Sequence, residues 1–392
     1  MHSIPGMPRQ CRSSAFAVGI NSMVLGRFGA RCFGIGMKRL TLLIALVLSG
    51  ICQAGDKLQR YLYAATPDGA QIESASGMGI LVFDIDNGFK FVRRIEGAML
   101  KGGVRGLTGT TDARALFYGT TDRRMGRLDL ETNKVVWEKE FTGGCDRSSA
   151  MPDGSKVFAP TGWWGPKDSG GMVVIDGVTG AELRKISVGP GAHNSIMSPD
   201  GSRLFIGTTT TLTVFDPKTE KALMSIPDVG ESGVFPFTVN SSLSLAFVCL
   251  GRHVGFDVVD LKAGKPIHRV LAGEAPIAHR THGVAMTPDE SEIWISDQVG
   301  KKLFIFDATK MPPAAKGSVE LSTGGHGWVN FSLDGAFAWS HTPDIFDAKT
   351  KKQIATLRDE AGKPFGSSKL IEVQMRDGKV VRVGSEFGIG RK

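Results

Sequence analysis

The chain has 392 residues, 47 basic and 39 acidic, with a formal charge of +8. That length allows one large or two medium domains. Six of the bases (Arg9, Arg12, Arg27, Arg31, Lys38 and Arg39) lie in the first 54 positions, which hold no acid. Without them 41 bases face 39 acids, a balance of +2 that excludes the strongly basic surface of a nucleic-acid binder.

The N-terminal segment reads as an export signal. Met37-Lys38-Arg39 precedes an apolar run over 40–51 and then Cys52-Gln53-Ala54, the layout of a secretory signal peptide with cleavage after Ala54. The run is too short for a bilayer span, so no membrane insertion is expected. Ile51 fits poorly before a lipidated cysteine. Residues 1–36 read as an upstream extension, 37–54 as the signal peptide and 55–392 as one folded domain in the periplasm or outside the cell. Of five cysteines, Cys145 and Cys249 remain after cleavage. Their separation puts them in different structural units, so no disulfide is expected and the fold must rest on its core.

Two turn signatures recur through that domain. The first is an Asp in Pro-Asp-Gly or a variant of it, at Asp112, Asp153, Asp200, Asp289, Asp334 and Asp377, with Ser241 standing in once. The second is an Asp ending an apolar strand before a Thr/Gly/Lys turn, at Asp84, Asp129, Asp176, Asp216, Asp260, Asp307 and Asp347. The clearest unit, residues 191–230, divides into strands at 193–197, 203–207, 212–215 and 222–226. Seven interleaved copies at intervals of 40 to 48 residues predict a seven-bladed β-propeller. A sandwich would not repeat its turn chemistry seven times, and no stretch has helical apolar spacing over ten residues. Strands at 60–65, 80–83 and 89–95 leave blade one without an innermost strand. The segment 369–375 is spare and predicts velcro closure by the C-terminus. The strand at 380–383 exceeds the count and is left unplaced.

SPDGSRLFIG…LTVFDPKTEK and TPDESEIWISD…KLFIFDATK resemble the repeats of the YVTN family of exported β-propellers, the YncE-like group. Wider relatives are the lactonase-type propellers and the heavy chain of methylamine dehydrogenase. The resemblance covers about residues 58–385. It implies the fold and export, and because it rests on turns and core strands it leaves the function open.

A propeller's site is expected where each innermost strand begins. Seven residues before each turn Asp stand Arg105, Asp146, His193, Val234, His282, Gly327 and Leu370, with His326 one residue off. Trp163, Trp164, His253 and His341 fall in loops on the same face, and His279 in the loop entering blade six. Arg105, Asp146, His193, His282, His326, Trp163 and Trp164 are therefore the candidate ligand-binding residues of the funnel face. Neutral imidazoles of His193, His282 and His326 suit a transition metal such as copper, iron or zinc. A His beside Asp146 or Arg105 suits a general base in lactone hydrolysis. The same groups suit an anionic ligand against a Trp wall. Against each stands a structural role: a His tying adjacent blades, Arg105 merely pairing with Asp146, Trp163 and Trp164 plugging the core, and Cys145 as a small buried residue.

Three functions follow. The first is an exported propeller, expected as a monomer, presenting its funnel to a small molecule or partner protein. The second is a lactonase-type hydrolase. The third is a metal- or quinone-linked oxidoreductase or a dehydrogenase subunit. The chain has no Cys-x-x-Cys-His, so any covalent haem would belong to another chain.

Overall fold

The computed structural model describes residues 57–66, 76–96, 102–162, 171–234, 236–273 and 275–391. The extension, the signal peptide and both tryptophans of the 163–170 loop lie outside them. Among the described residues no helix is long and apolar enough to cross a membrane.

The strands form seven antiparallel sheets, six of four strands and one of five, arranged as a seven-bladed β-propeller. The turns that set the repeat do so by one device. Oδ1 of Asp129, Asp176, Asp216, Asp260 and Asp347 accepts the backbone N–H groups two and three residues ahead. This holds the chain in a reversal that alternating apolar strands can flank. Asp153, Asp200, Asp289 and Asp334 cap the other hairpins by accepting from the N–H two residues ahead. Where Ser241 replaces the Asp, Asn240 takes over, accepting from the N–H groups of Ser244 and Leu245.

Each sheet buries both faces, and the core is split among the blade interfaces. Leu116, Tyr118 and Leu128 of blade two pack on Tyr63, Ile371 and Val373 of blade one, and Phe117 and Met125 pack on Val157 and Ile175 of blade three. Innermost strands of neighbouring blades also touch: Val104–Thr110 meets Leu370–Arg376 on one side and Ser149–Ala150 on the other.

Blade one is closed by the C-terminus. Leu370–Arg376 pairs with Gln59–Ala65, in register from Gln59↔Met375 to Ala64↔Leu370. Lys379–Val383 then adds a fifth strand inside it, on the edge facing the channel. The chain does not stop there. Residues 384–391 cross the channel: Gly388 O accepts from Met286 N–H of blade six and Thr238 Oγ1 of blade five. Gly390 N–H donates to Val239 O and Arg391 N–H to Pro288 O. Phe387 and Ile389 are buried beside Trp328 and Phe237. The strand that has no place in a four-stranded repeat thus carries a plug into the axis.

Candidate functional site: an axial cluster of ionisable side chains

Local irregularity aims the first two cluster members. Pairing slips between Val104 and Gly106 at the start of blade two and between Thr281 and Val284 at the start of blade six. Such bulges redirect a side chain, here Arg105 and His282. Both contain a glycine for a steric reason. A Cβ on Gly106 would lie 2.8 Å from Arg147 Cα, and one on Gly283 would lie 2.7 Å from Trp328 Cα.

Arg105, Asp146 and His193, from three successive blades, form a chain of contacts. Asp146 is fully buried; its Oδ2 makes a short contact with His193 Nδ1, and its Oδ1 lies 3.5 Å from Arg105 Nε. On the far side, the His282 and His326 rings approach to 3.7 Å between centroids. His282 Nδ1 donates to Gly327 O at 3.1 Å. His326 Nδ1 is buried with no hydrogen-bond partner among the described residues.

Four residues that the register count passed over stand between these groups. Arg147, fully buried, lies 4.3 Å from the ring centre of Trp328, and Lys369 Nζ lies 5.2 Å from the same ring. Glu386, at the tip of the plug, sets Oε1 3.3 Å from Arg147 Nε. Its Oε2 accepts from Leu107 N–H at 2.6 Å, and its carbonyl from Trp328 Nε1 at 2.8 Å. Arg147 and Lys369 each sit beside a position that was read, and their signal was a cation just ahead of an apolar or small-residue strand. Glu386 is the one carboxylate of a Gly-rich apolar ending.

The electrostatics follow from burial. Desolvation works to raise the Asp146 carboxyl, yet His193, then Arg105 and Arg147, outweigh it and hold it well below the carboxylate range. Desolvation pushes the His193 imidazole below its ordinary value although Asp146 pulls it up. An ionised Asp146 therefore faces a neutral ring whose proton lies on Nδ1. Burial also lowers His282 and His326 well below their usual value, with Arg147 and, for His326, His282 adding to it. Burial depresses Lys369, helped by Arg147, and raises Glu386 against the pull of Lys369 and Arg147.

The remaining sequence candidates separate from this cluster. Val234 occupies blade five's position as a buried apolar residue. His341 is a backbone fastener: its Nδ1 accepts from Trp328 N–H at 3.2 Å, and burial lowers it to about 4. His253 pairs with Glu231 at 2.8 Å and His279 with Asp297 at 3.5 Å. Cys145 and Cys249 are free and buried, and burial raises both thiols, Cys249 to about 12, so neither is a thiolate. As to a metal at His193, His282 and His326, no group of three His, Cys, Asp or Glu side chains among the described residues is placed to hold one. The Nδ1 atoms of His193 and His282 are already committed to Asp146 and Gly327.

No protein-family model and no curated protein matches this sequence. Among solved structures it is similar to the hydrazine synthase of Kuenenia stuttgartiensis, with 17% identity and a TM-score of 0.53. The match covers 72% of this chain and 87% of that one. With 1724 solved chains resembling it, the likeness marks a widely used fold and assigns no chemistry.

Proposed function

We propose that the chain is an exported propeller of the YVTN-repeat, YncE-like kind that binds a small anionic molecule at its axial cluster. The observation that carries this reading is a charge count. Arg105, Arg147 and Lys369 face Asp146 and Glu386, while the histidines are neutral. Three basic side chains against two carboxylates make the described cluster rich in cations. A cluster rich in cations suits an anionic ligand, and His326 Nδ1 offers a further polar contact. Arg105, Asp146, His193, His282 and His326 would touch the ligand.

Calorimetric titration with inorganic phosphate tests this. Binding should weaken at least tenfold in Arg105→Met and in His326→Ala and stay unchanged in His268→Ala, on an outer strand. Binding indifferent to Arg105 would remove the proposal. N-terminal sequencing of the exported protein tests the signal peptide, with Gly55 as the expected first residue.

One observation favours a second reading. A buried carboxylate fixing a neutral imidazole through Nδ1 is how a histidine general base is oriented, so the Asp146–His193 pair suits lactone hydrolysis. A lactone panel decides it: turnover that survives both His193→Ala and Asp146→Asn leaves the pair structural.

A further inference from the structure

A cavity lies on the other face of the ring, where the innermost strands end. About 590 Å³ in volume, it opens between residues 382–391 and the inner-strand turns of blades two to five. That size is typical of small-molecule sites. The C-terminal segment supplies one of the cavity's walls.

We propose that this cavity is a second ligand site, taking a small hydroxylated organic anion such as a sugar acid. The first observation is a pair of guanidinium groups. Arg382, exposed at the mouth, and Arg391 both line the cavity, and neither has an acidic hydrogen-bond or ion-pair partner among the described residues. Burial, then the charge of Arg382, lowers Arg391 to about 10. Glu372 acts in the opposite sense but is occupied, accepting from Leu333 N–H at 2.6 Å and from Gln374 at 2.8 Å. Two forks without a carboxylate match the planar, bidentate demand of an organic anion.

The second observation is independent of charge. Thr110 and Ser148 line the same cavity, are buried, and have hydroxyls with no hydrogen-bond partner among the described residues. Buried hydroxyls without partners are rare in folded proteins, and both can donate to or accept from ligand hydroxyls. The carboxylates in the lining do not cancel the arginines. Asp200 Oδ1 accepts from Ser198 and Ser202, and Glu386 is held by Leu107 and Arg147. Asp112 remains to accept from a ligand hydroxyl. A neutral sugar would forgo the arginines, and a bare carboxylate would forgo the hydroxyls. The chemistry in between uses both.

Titrating the purified full chain with gluconate, glucose and acetate by calorimetry tests the assignment. Gluconate should bind, with glucose and acetate each at least tenfold weaker. Arg391→Met should weaken gluconate at least tenfold and Ser148→Ala about threefold. Arg382→Gln, at the exposed mouth where it cannot disturb the core, should also weaken it severalfold. Arg391→Met should leave the binding of inorganic phosphate at the axial cluster unchanged, which separates this site from the one proposed above. No gluconate binding, acetate binding as tightly as gluconate, or indifference to both arginine substitutions would overturn the proposal. Phosphate binding that falls together with gluconate binding in Arg391→Met would do the same.

Discussion

The two ends of the central channel are made from different material. The funnel end is built by the repeat, each blade offering the same backbone position and varying only its side chain, from Arg105 through Asp146 and His193 to His282. The opposite end is built by a segment that repeats nothing, residues 384–391, laid across the axis on hydrogen bonds to blades five and six. The two meet at one carboxylate: Glu386 arrives from the plug and is received by Arg147 of blade three. Repetition thus makes a symmetric frame, and asymmetry enters either as side-chain variation within it or as a strand added outside the count.

Cutting the plug away breaks the comparison most severely. Deleting residues 384–392 removes the burial of Phe387 and Ile389, worth roughly 3–6 kcal/mol together, and strands Arg147. Urea unfolding should show a loss at least that large; a loss under about 1 kcal/mol would mean the plug is an ornament of the ring. Glu386→Ala removes only the meeting point. It leaves Arg147 buried without its carboxylate, and breaking a buried pair costs about 3–5 kcal/mol. Glu386→Gln keeps the acceptor for Leu107 N–H and should recover part of that loss. Equal damage from the two would assign the effect to packing.

The pH response sharpens the funnel half. His282, His326 and His341 are held neutral in the fold below their ordinary value of 6.5, so the unfolded chain binds their protons first. Their contribution is complete above 6.5 and is lost as pH falls below it, by up to about 1.4 kcal/mol per pH unit for each. For His341 the loss ends near pH 4. Asp146, held low, adds its own loss only as the pH falls through the ordinary carboxylate value of 3.8. Denaturation midpoints between pH 7.5 and 5 should therefore fall, and His282→Gln should flatten the slope. A curve identical to that of the parent chain would contradict the buried neutral ring. The smallest effect belongs to the frame: Asn240→Ala, where the turn device is improvised, should cost about 1 kcal/mol with no change at either site.

The fold was legible because its turns are local chemistry. An Asp that accepts from N–H groups two and three residues ahead needs nothing distant, so Asp129, Asp176 and Asp216 announce their strands from sequence alone. The funnel ring was legible at one depth only. A count fixed at seven residues before each turn finds Arg105, Asp146, His193 and His282. It misses Arg147, Lys369 and Trp328, because bulges and short inner strands shift which side chain faces the axis. The plug was not legible at all. Residues 384–391 have no period, and their partners Thr238, Met286 and Val239 come from sequence-distant blades, so nothing local marks the path. The strand at 380–383, unplaced by counting, was the visible edge of that missing piece.

The seam between Gln59–Ala65 and Leu370–Arg376 has a consequence for biogenesis. Until the last two strands exist, Gln59–Ala65 offers an unpaired edge, and six finished blades have no means of closing. Pairing the two ends of a chain is the slowest kind of contact to form, so a ribosome that stalls before residue 376 releases an open arc with a sticky rim. A protease or chaperone that reads exposed strand edges would find its signal there. The ring therefore certifies its own completeness: only a chain delivered to its end can hide its beginning.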